Sequence, residues 1–279
     1  MNFAFWRRRR DRASEQSAEP AGEGRISRTS QVVALTRAGL DRPHSPGGDP
    51  RAQARLCDGM RLAPVDRLRP MLTARTRFFD QAVLTALAAG IGQVVICGAG
   101  YDDRALRFRT PGVRFFELDQ GPTQADKARR LRALGTDLTG LTLAVADFRQ
   151  HDVAAVLAAN GHDRDRATLF LCEGLLVYLD RPALTGLLTG LASAAGPGSR
   201  LAASLAVHAE DRSTAEVLTA ANARRRAGRT EPWRTILPRD QQIALLASAG
   251  WQADQVVDAA ELEASAPAGR TLLVEASPG

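Results

Sequence analysis

Five short apolar runs, "QVVIC" (93–97), "VRFFELD" (113–119), "LTLAVAD" (141–147), "ATLFLCE" (167–173) and "RLAASLAV" (200–207), are separated by stretches of helical period. Strands that alternate with helices at this spacing imply a parallel sheet with helices on both faces. The runs are largely apolar instead of alternating with polar residues, as burial on both faces requires. The expected fold class is therefore α/β, with a mostly parallel, doubly wound sheet.

The flanks break this rhythm. From Ser27, "SRTSQVVALTRAG" offers capping residues followed by a helical pattern of Val32, Val33, Leu35 and Ala38. "DRPHSPGGDPRAQ" is turn-rich and reads as a loop. Residues 64–90 read as a helix with an apolar stripe from Leu72, Phe78, Phe79, Val83, Leu84 and Leu87. After Val207, "HAEDRSTAEVLTAANARRRAGRTEPW" is helical, charged and too long for a simple connection, and predicts an inserted lid at about 206–237. "PRDQQIALLASAGW" then reads as an amphipathic helix, and "ADQVVD" and "RTLLVEA" as two closing strands. The expected organisation is a flexible basic tail (1–24), an N-terminal helical segment (25–90) and a sheet domain (91–279) carrying the lid.

Composition narrows the class. No apolar run reaches the roughly 18 residues that span a bilayer. "MNFAFWRRRRDR" places its arginines after a very short apolar patch, which fits no export signal, so a soluble cytoplasmic protein is expected. Cys57, Cys97 and Cys172 lack metal-ligand spacing, and neither a disulfide nor zinc is expected. Of the formal net charge of +6, half belongs to residues 1–30, which hold seven arginines against four acids. The basic balance thus reads as a solvated tail, with an RNA-contacting patch as the alternative.

The function-bearing pattern lies at the strand ends. "QVVICGAGYDD" ends an apolar run in Gly98 and Gly100, the position at which a doubly wound sheet receives a nucleotide-like ligand. A dinucleotide fingerprint would place a third glycine where Asp103 stands, and the adjacent carboxylates of Asp102 and Asp103 would repel a pyrophosphate. Asp119 ends the next strand, the place from which a carboxylate holds ribose hydroxyls, with Glu117 two residues earlier as the candidate to assist it. Asp147 and Phe148 end the third strand and offer a carboxylate and an aromatic ring to an adenine. Glu173 ends the fourth, where a charge directly after an apolar run needs a partner. Together these describe a site for a phosphate-free, cationic adenosine cofactor, and S-adenosyl-L-methionine fits that description.

The same residues carry a family resemblance. "QVVICGAGYDDRALR", "FFELDQ" with Lys127 eight residues past Asp119, and "CEGLLVYL" resemble the leucine carboxyl methyltransferase family, in its bacterial branch of small-molecule O-methyltransferases. "TARTRFFD" (73–80), the segment at 29–38, "EPW" and "AGW" extend the match. The resemblance implies a Rossmann-like class I methyltransferase with a helical N-terminal segment and a lid after the fifth strand. It also implies that Arg75 pairs with the cofactor's carboxylate, Gly98 lies against its methionine part, Asp119 binds ribose, Asp147 and Phe148 bind adenine, and Glu173 serves the methionine amine. The chain departs from the family's usual pattern at Tyr101, Asp103 and Gly121.

Methyl transfer from a sulfonium is an in-line displacement, so the protein's main task is to position the acceptor. A carboxylate acceptor is ionised near pH 7 and needs no base. A phenol or alcohol would use one, and His208 or His151 are the candidates. Tyr178 can hydrogen-bond an acceptor, Trp233 in the lid is placed to line its pocket, Trp251 reads as core, and one of Arg75 and Arg77 should face a carboxylate. A small-molecule partner is expected, and neither nucleic acid nor membrane. The competing readings are a nicotinamide oxidoreductase and an RNA methyltransferase that uses the arginine tail.

Overall fold

The computed structural model describes residues 26–227 and 231–279; the arginine-rich tail expected at 1–24 lies outside them. The sheet comprises β1 (Gln93–Cys97), β2 (Arg114–Asp119), β3 (Leu141–Val145), β4 (Thr168–Cys172), β5 (Arg200–Ala206), β6 (Trp251–Asp258) and β7 (Thr271–Pro278). Their spatial order is β3-β2-β1-β4-β5-β7-β6. The strands β1 to β5 pair in parallel, and β7 runs antiparallel to both β5 and β6. Chain order reverses between β1 and β4, which opens a crevice at their carboxyl ends.

The helices are α1 (Arg28–Arg37), α2 (Ala52–Cys57), α3 (Arg69–Ala88), α4 (Arg104–Arg107), α5 (Gly121–Ala133), α6 (Val153–Ala159), α7 (Arg181–Ser193), α8 (Thr214–Ala227), α9 (Arg239–Ser248) and α10 (Ala259–Leu262). Successive residues of a strand point to opposite faces, and the apolar runs supply both. Val95, Cys97, Phe116 and Leu118 face α6, α7 and α9, which contribute Val153, Leu157, Leu187, Leu188 and Leu246. Val94, Ile96 and Phe115 face the other way, toward Phe79 and Val83 of α3 and Ala105 of α4. Trp251 opens β6 inside the first of these cores; its indole N–H donates to Leu188 O at 2.9 Å and its ring stands edge-on to Phe170.

The structure differs from the sequence reading in a few places. The turn-rich stretch ends earlier than expected, because Ala52 and Gln53 already belong to α2. That helix has too few residues to display a period, and it is held by burying Ala52 and Leu56 against Leu106 and Leu131. The long helix starts at Arg69 after a single 3-10 turn (Asp66–Leu68). Of the lid stretch expected to be helical, α8 is the helical part; residues 208–213 and 231–233 are not helical, and 228–230 lie outside the described residues.

Charge, as well as apolar packing, docks the N-terminal segment onto the sheet. Arg42, on the connection from α1 to α2, donates Nε and Nη2 to the two carboxylate oxygens of Asp80 on α3, at 2.8 and 2.9 Å. Arg104 of α4 donates Nε to the same carboxylate at 2.8 Å. These three side chains are at most 1% exposed. Removing the shared carboxylate leaves two buried guanidiniums short of a partner, so Asp80→Ala is expected to lower unfolding free energy by about 3–5 kcal/mol. Urea denaturation measures this, and Asp80→Asn, which keeps an acceptor oxygen, is expected to lose less.

Candidate functional site

At the strand-order reversal lies a cavity of about 220 Å³. Gly98, Gly100, Asp119, Asp147, Phe148 and Glu173, the strand-end residues singled out in the sequence, all line it. Arg75 of α3 and Tyr178 line it as well, joined by Ser30, Val33 and Arg37 of α1 and by Glu231, Pro232 and Arg234 of the segment after α8.

Gly98 and Gly100 adopt φ of 65° and 50°, in the left-handed region that suits glycine. The room they leave is taken by the protein itself. A Cβ at Gly98 would come within 2.9 Å of Leu175, and one at Gly100 within 2.8 Å of the Ser30 side chain on α1. The turn also consumes its own amides: Gly98 and Ala99 donate to Leu118 O, Asp102 donates to Ala99 O, and Gly100 donates to Asp119 Oδ2 at 2.6 Å. Gln120 N donates to Asp119 Oδ1, also at 2.6 Å. Burial pushes the Asp119 carboxyl upward and outweighs these two amides, which favour its charged form. With those four amides spent internally, this glycine turn is not an anion-binding nest of the kind that holds a pyrophosphate.

The two aspartates after the turn are not the exposed repulsive pair the sequence suggests. Asp103 has no exposed surface and pairs with Arg42 Nη1 at 2.6 Å and Arg107 Nε at 2.7 Å. Burial pushes Asp103 up, but Arg42, Arg107 and Arg37 overcome it and hold the carboxyl at about 2. Asp102 meets Arg37 at 3.2 Å, accepts from the backbone of Arg104 at 2.8 Å and meets its guanidinium at 2.5 Å.

Glu173, at the end of β4, finds the partner its position demands. Arg104 reaches it at 2.6 Å, Arg37 at 2.8 Å and Arg75 at 2.9 Å. Burial raises its pKa, yet the three guanidiniums hold it well below the usual carboxylate range. Among the described residues the connected set joins five arginines (37, 42, 75, 104, 107) to four acids (Asp80, Asp102, Asp103, Glu173). One positive charge is left over, and buried Arg37 Nε lacks a hydrogen-bond partner. Arg37 and Arg75 line the cavity, where their guanidiniums can meet an anionic group of a ligand.

The remaining side chains divide clearly. Asp147 is engaged by Arg149, whose Nη2 lies 2.9 Å from it, and this contact lowers its pKa. Tyr178 accepts from Arg225 Nη2 at 3.1 Å, and that guanidinium lies between the rings of Tyr178 and Trp233, 5.3 and 4.9 Å from their centroids. Trp233 pins the lid backbone, exchanging hydrogen bonds with Asn222 at 2.8 Å, and is not among the described residues lining the cavity. His208 is also outside the cavity: its ring nitrogens meet Ala209 O at 2.7 Å and Thr214 Oγ1 at 2.8 Å, which anchors the start of α8. His151 Nδ1 accepts from Asp147 N at 3.0 Å, also away from the cavity. Arg77 is exposed, 3.7 Å from Glu263. Glu117 points to the α5 side of the sheet and pairs with Lys127 instead of assisting Asp119.

Arg37, Ser30, Arg149 and Glu231 are lining residues that strand-end reasoning misses. Glu231 accepts from Thr29 Oγ1 and so bridges the lid to α1. No spacing in the chain marks these residues, because their positions follow from how α1 and the lid fold back over the strand ends.

A sheet of this order with its site at the reversal defines a Rossmann-like fold of the class I methyltransferase type. The crystal structure of a provisionally named methyltransferase from Thermobifida fusca YX superposes with a TM-score of 0.57 at 16% identity, covering 89% of this chain and 94% of that one. Magnesium protoporphyrin IX methyltransferase from Synechocystis PCC 6803, solved with bound SAH, gives 0.52 at 14% identity, covering 81% and 92%. Residues 18–192 match the model of the leucine carboxyl methyltransferase family, and the chain belongs to that family. A provisionally named S-adenosyl-L-methionine-dependent methyltransferase of Mycolicibacterium gilvum is 37% identical over 164 residues, 58% of this chain and 50% of the relative. Another, from Streptomyces avermitilis, is 35% identical over 184 residues, 66% of this chain and 62% of the relative. The alignments thus span about half to three fifths of these relatives' lengths.

The turn makes a direct prediction. Gly100→Ala is expected to cost about 1–3 kcal/mol in urea denaturation, from the left-handed φ and from the collision with Ser30. Adding Ser30→Gly should recover the steric part only; full recovery would mean that φ contributes nothing.

Proposed function

We propose that this chain transfers the methyl group of S-adenosyl-L-methionine to a carboxylate oxygen of a small molecule, as an O-methyltransferase of secondary metabolism. Family membership supports the cofactor, and so does the fit of the cavity. The guanidiniums of Arg37, whose Nε has no hydrogen-bond partner, and Arg75 suit the carboxylate of the methionine part. Glu173 stands within the same cavity to meet its amine. Asp119, at the end of β2, still has acceptor capacity for ribose hydroxyls, and Asp147 with Phe148 suits an adenine.

The cofactor, when bound, supplies an activated methyl group on a sulfonium. The task left to the chain is to hold donor and acceptor in line and keep water out, which can lower a barrier by roughly 7–11 kcal/mol at best. On this reading α1 and the segment around Glu231–Arg234 cover the site, and Tyr178 orients the acceptor by a hydrogen bond.

One observation favours a carboxylate over a phenol or alcohol. Among the described residues lining the cavity there is no histidine or lysine, and its carboxylates are already engaged: Asp102 and Glu173 by arginines, Asp119 by two amides, Asp147 by Arg149 and Glu231 by Thr29. An acceptor that arrives ionised needs none of them as a base. The spent amides of the glycine turn argue against a nicotinamide dinucleotide.

Calorimetry tests the cofactor assignment. S-adenosylhomocysteine is expected to bind and NAD is not, and Asp119→Ala should weaken S-adenosylhomocysteine binding by about 10–100-fold, the cost of losing hydrogen bonds to a charged group. Binding of NAD alone would contradict the assignment. At saturating methyl donor, turnover of an accepted carboxylic acid is expected to stay level between about pH 8 and 9, whereas turnover of a phenol should follow the phenol's own ionisation.

A further inference from the structure

The chain contains a single lysine, Lys127, among its 37 basic residues. It stands on α5 with 1% of its surface exposed. Its ammonium donates to the backbone carbonyl of Asp102 at 2.6 Å and pairs with Glu117 Oε2 from the middle of β2. Glu117 has no exposed surface, and its Oε1 has no hydrogen-bond partner. Neither residue is among the described residues that line the cavity, and nothing in the methyl-transfer scheme uses the pair.

An arginine fork would present several donors in a plane, whereas this space takes one compact ammonium between a carbonyl and a carboxylate. Its two contacts tie β2 to the Asp102 end of the turn, just as Asp119 ties β2 to Gly100. Asp102 in turn lines the cavity and meets Arg37 and Arg104. We propose that Glu117 and Lys127 form a charge-balanced strut in which Lys127 positions the turn and Glu117 cancels its charge, so that the site accepts a sulfonium as readily as a neutral thioether. This inference rests on the cofactor reading given above.

The charge balance is open to titration. Burial raises the Glu117 carboxyl, Lys127 opposes the rise, and the carboxyl settles at about 7. The other charged groups that act on it are Asp102 of the turn and Asp119 of its own strand, both of which favour protonation. Asp126, also on α5, is turned to Tyr101, Arg129 and Arg130. Once Glu117 is protonated, the ammonium loses its paired carboxylate and keeps only the longer-range attraction of Asp119. It then repels the cationic sulfonium of S-adenosylmethionine but has no such effect on the neutral thioether of S-adenosylhomocysteine.

The experiment is calorimetric titration of both ligands at pH 6 and pH 8 into wild type, Glu117→Gln and the charge-neutral double variant Glu117→Gln/Lys127→Met. The readout is the affinity for S-adenosylmethionine relative to S-adenosylhomocysteine, compared between variants at one pH, so that ionisation of the ligands cancels. At pH 8, Glu117→Gln is expected to show a ratio about fivefold or more below wild type, and at pH 6 the two should coincide. The double variant should match the wild-type ratio at pH 8 and exceed it at pH 6, while binding both ligands more weakly because the strut is gone. A Glu117→Gln protein with the wild-type ratio at both pH values overturns the proposal. If that variant does not fold, a double variant with the wild-type ratio at pH 6 overturns it as well. Wild type that binds neither ligand would overturn the cofactor reading itself, and this inference with it.

Discussion

The guanidinium of Arg104 has no exposed surface and meets Asp80, Asp102 and Glu173 at once. Through those acids it joins α3, the glycine turn and the end of β4, and through Arg37 and Arg42 it reaches α1 and the connection that follows it. A buried set of ions adds little net stability over apolar packing of the same volume. In the structure α1 and α3 dock where their charges are met, and this walls the cavity with Arg37 and Arg75. The same network leaves Arg37 Nε without a partner at the cavity, a donor that an anionic group could meet. One interaction set therefore both assembles the site and defines its chemistry.

Much of the sheet was legible because burial on both faces leaves a direct mark on the chain: after their first residues, Gln93 and Thr168, "QVVIC" and "TLFLC" are apolar, and both are strands with every residue buried. The strand-end acids were legible for the opposite reason, since Asp119, Asp147 and Glu173 each put a charge where an apolar run stops. The helix α2 was not, because six residues show no period and its burial depends on Leu106 and Leu131, far along the chain. Partners at long range were equally hidden. Nothing in "TRAG" indicates that Arg37 turns inward to Glu173, 136 residues away.

The glycine turn shows how a correct location can follow from an incomplete cause. Asp102 and Asp103 suggest electrostatic rejection of a pyrophosphate, yet both are paired with arginines and present no bare negative charge. What disfavours a pyrophosphate is the use of the turn's amides within the protein, including the Gly100 amide held by Asp119. The glycines likewise accommodate Leu175 and Ser30, so part of their role is to let α1 close over the strand ends. His208 illustrates the same gap: its place just after β5 brings it near the site in sequence, but its ring is spent on anchoring α8.

The most direct test of the account is a crystal structure of the chain with S-adenosylhomocysteine. The account predicts the ligand in the cavity between Gly98 and Glu173, with its amino-acid carboxylate on Arg37 and Arg75, its ribose on Asp119 and its adenine beside Phe148. A ligand bound elsewhere, or bound in this cavity with adenine at the arginines, would contradict it.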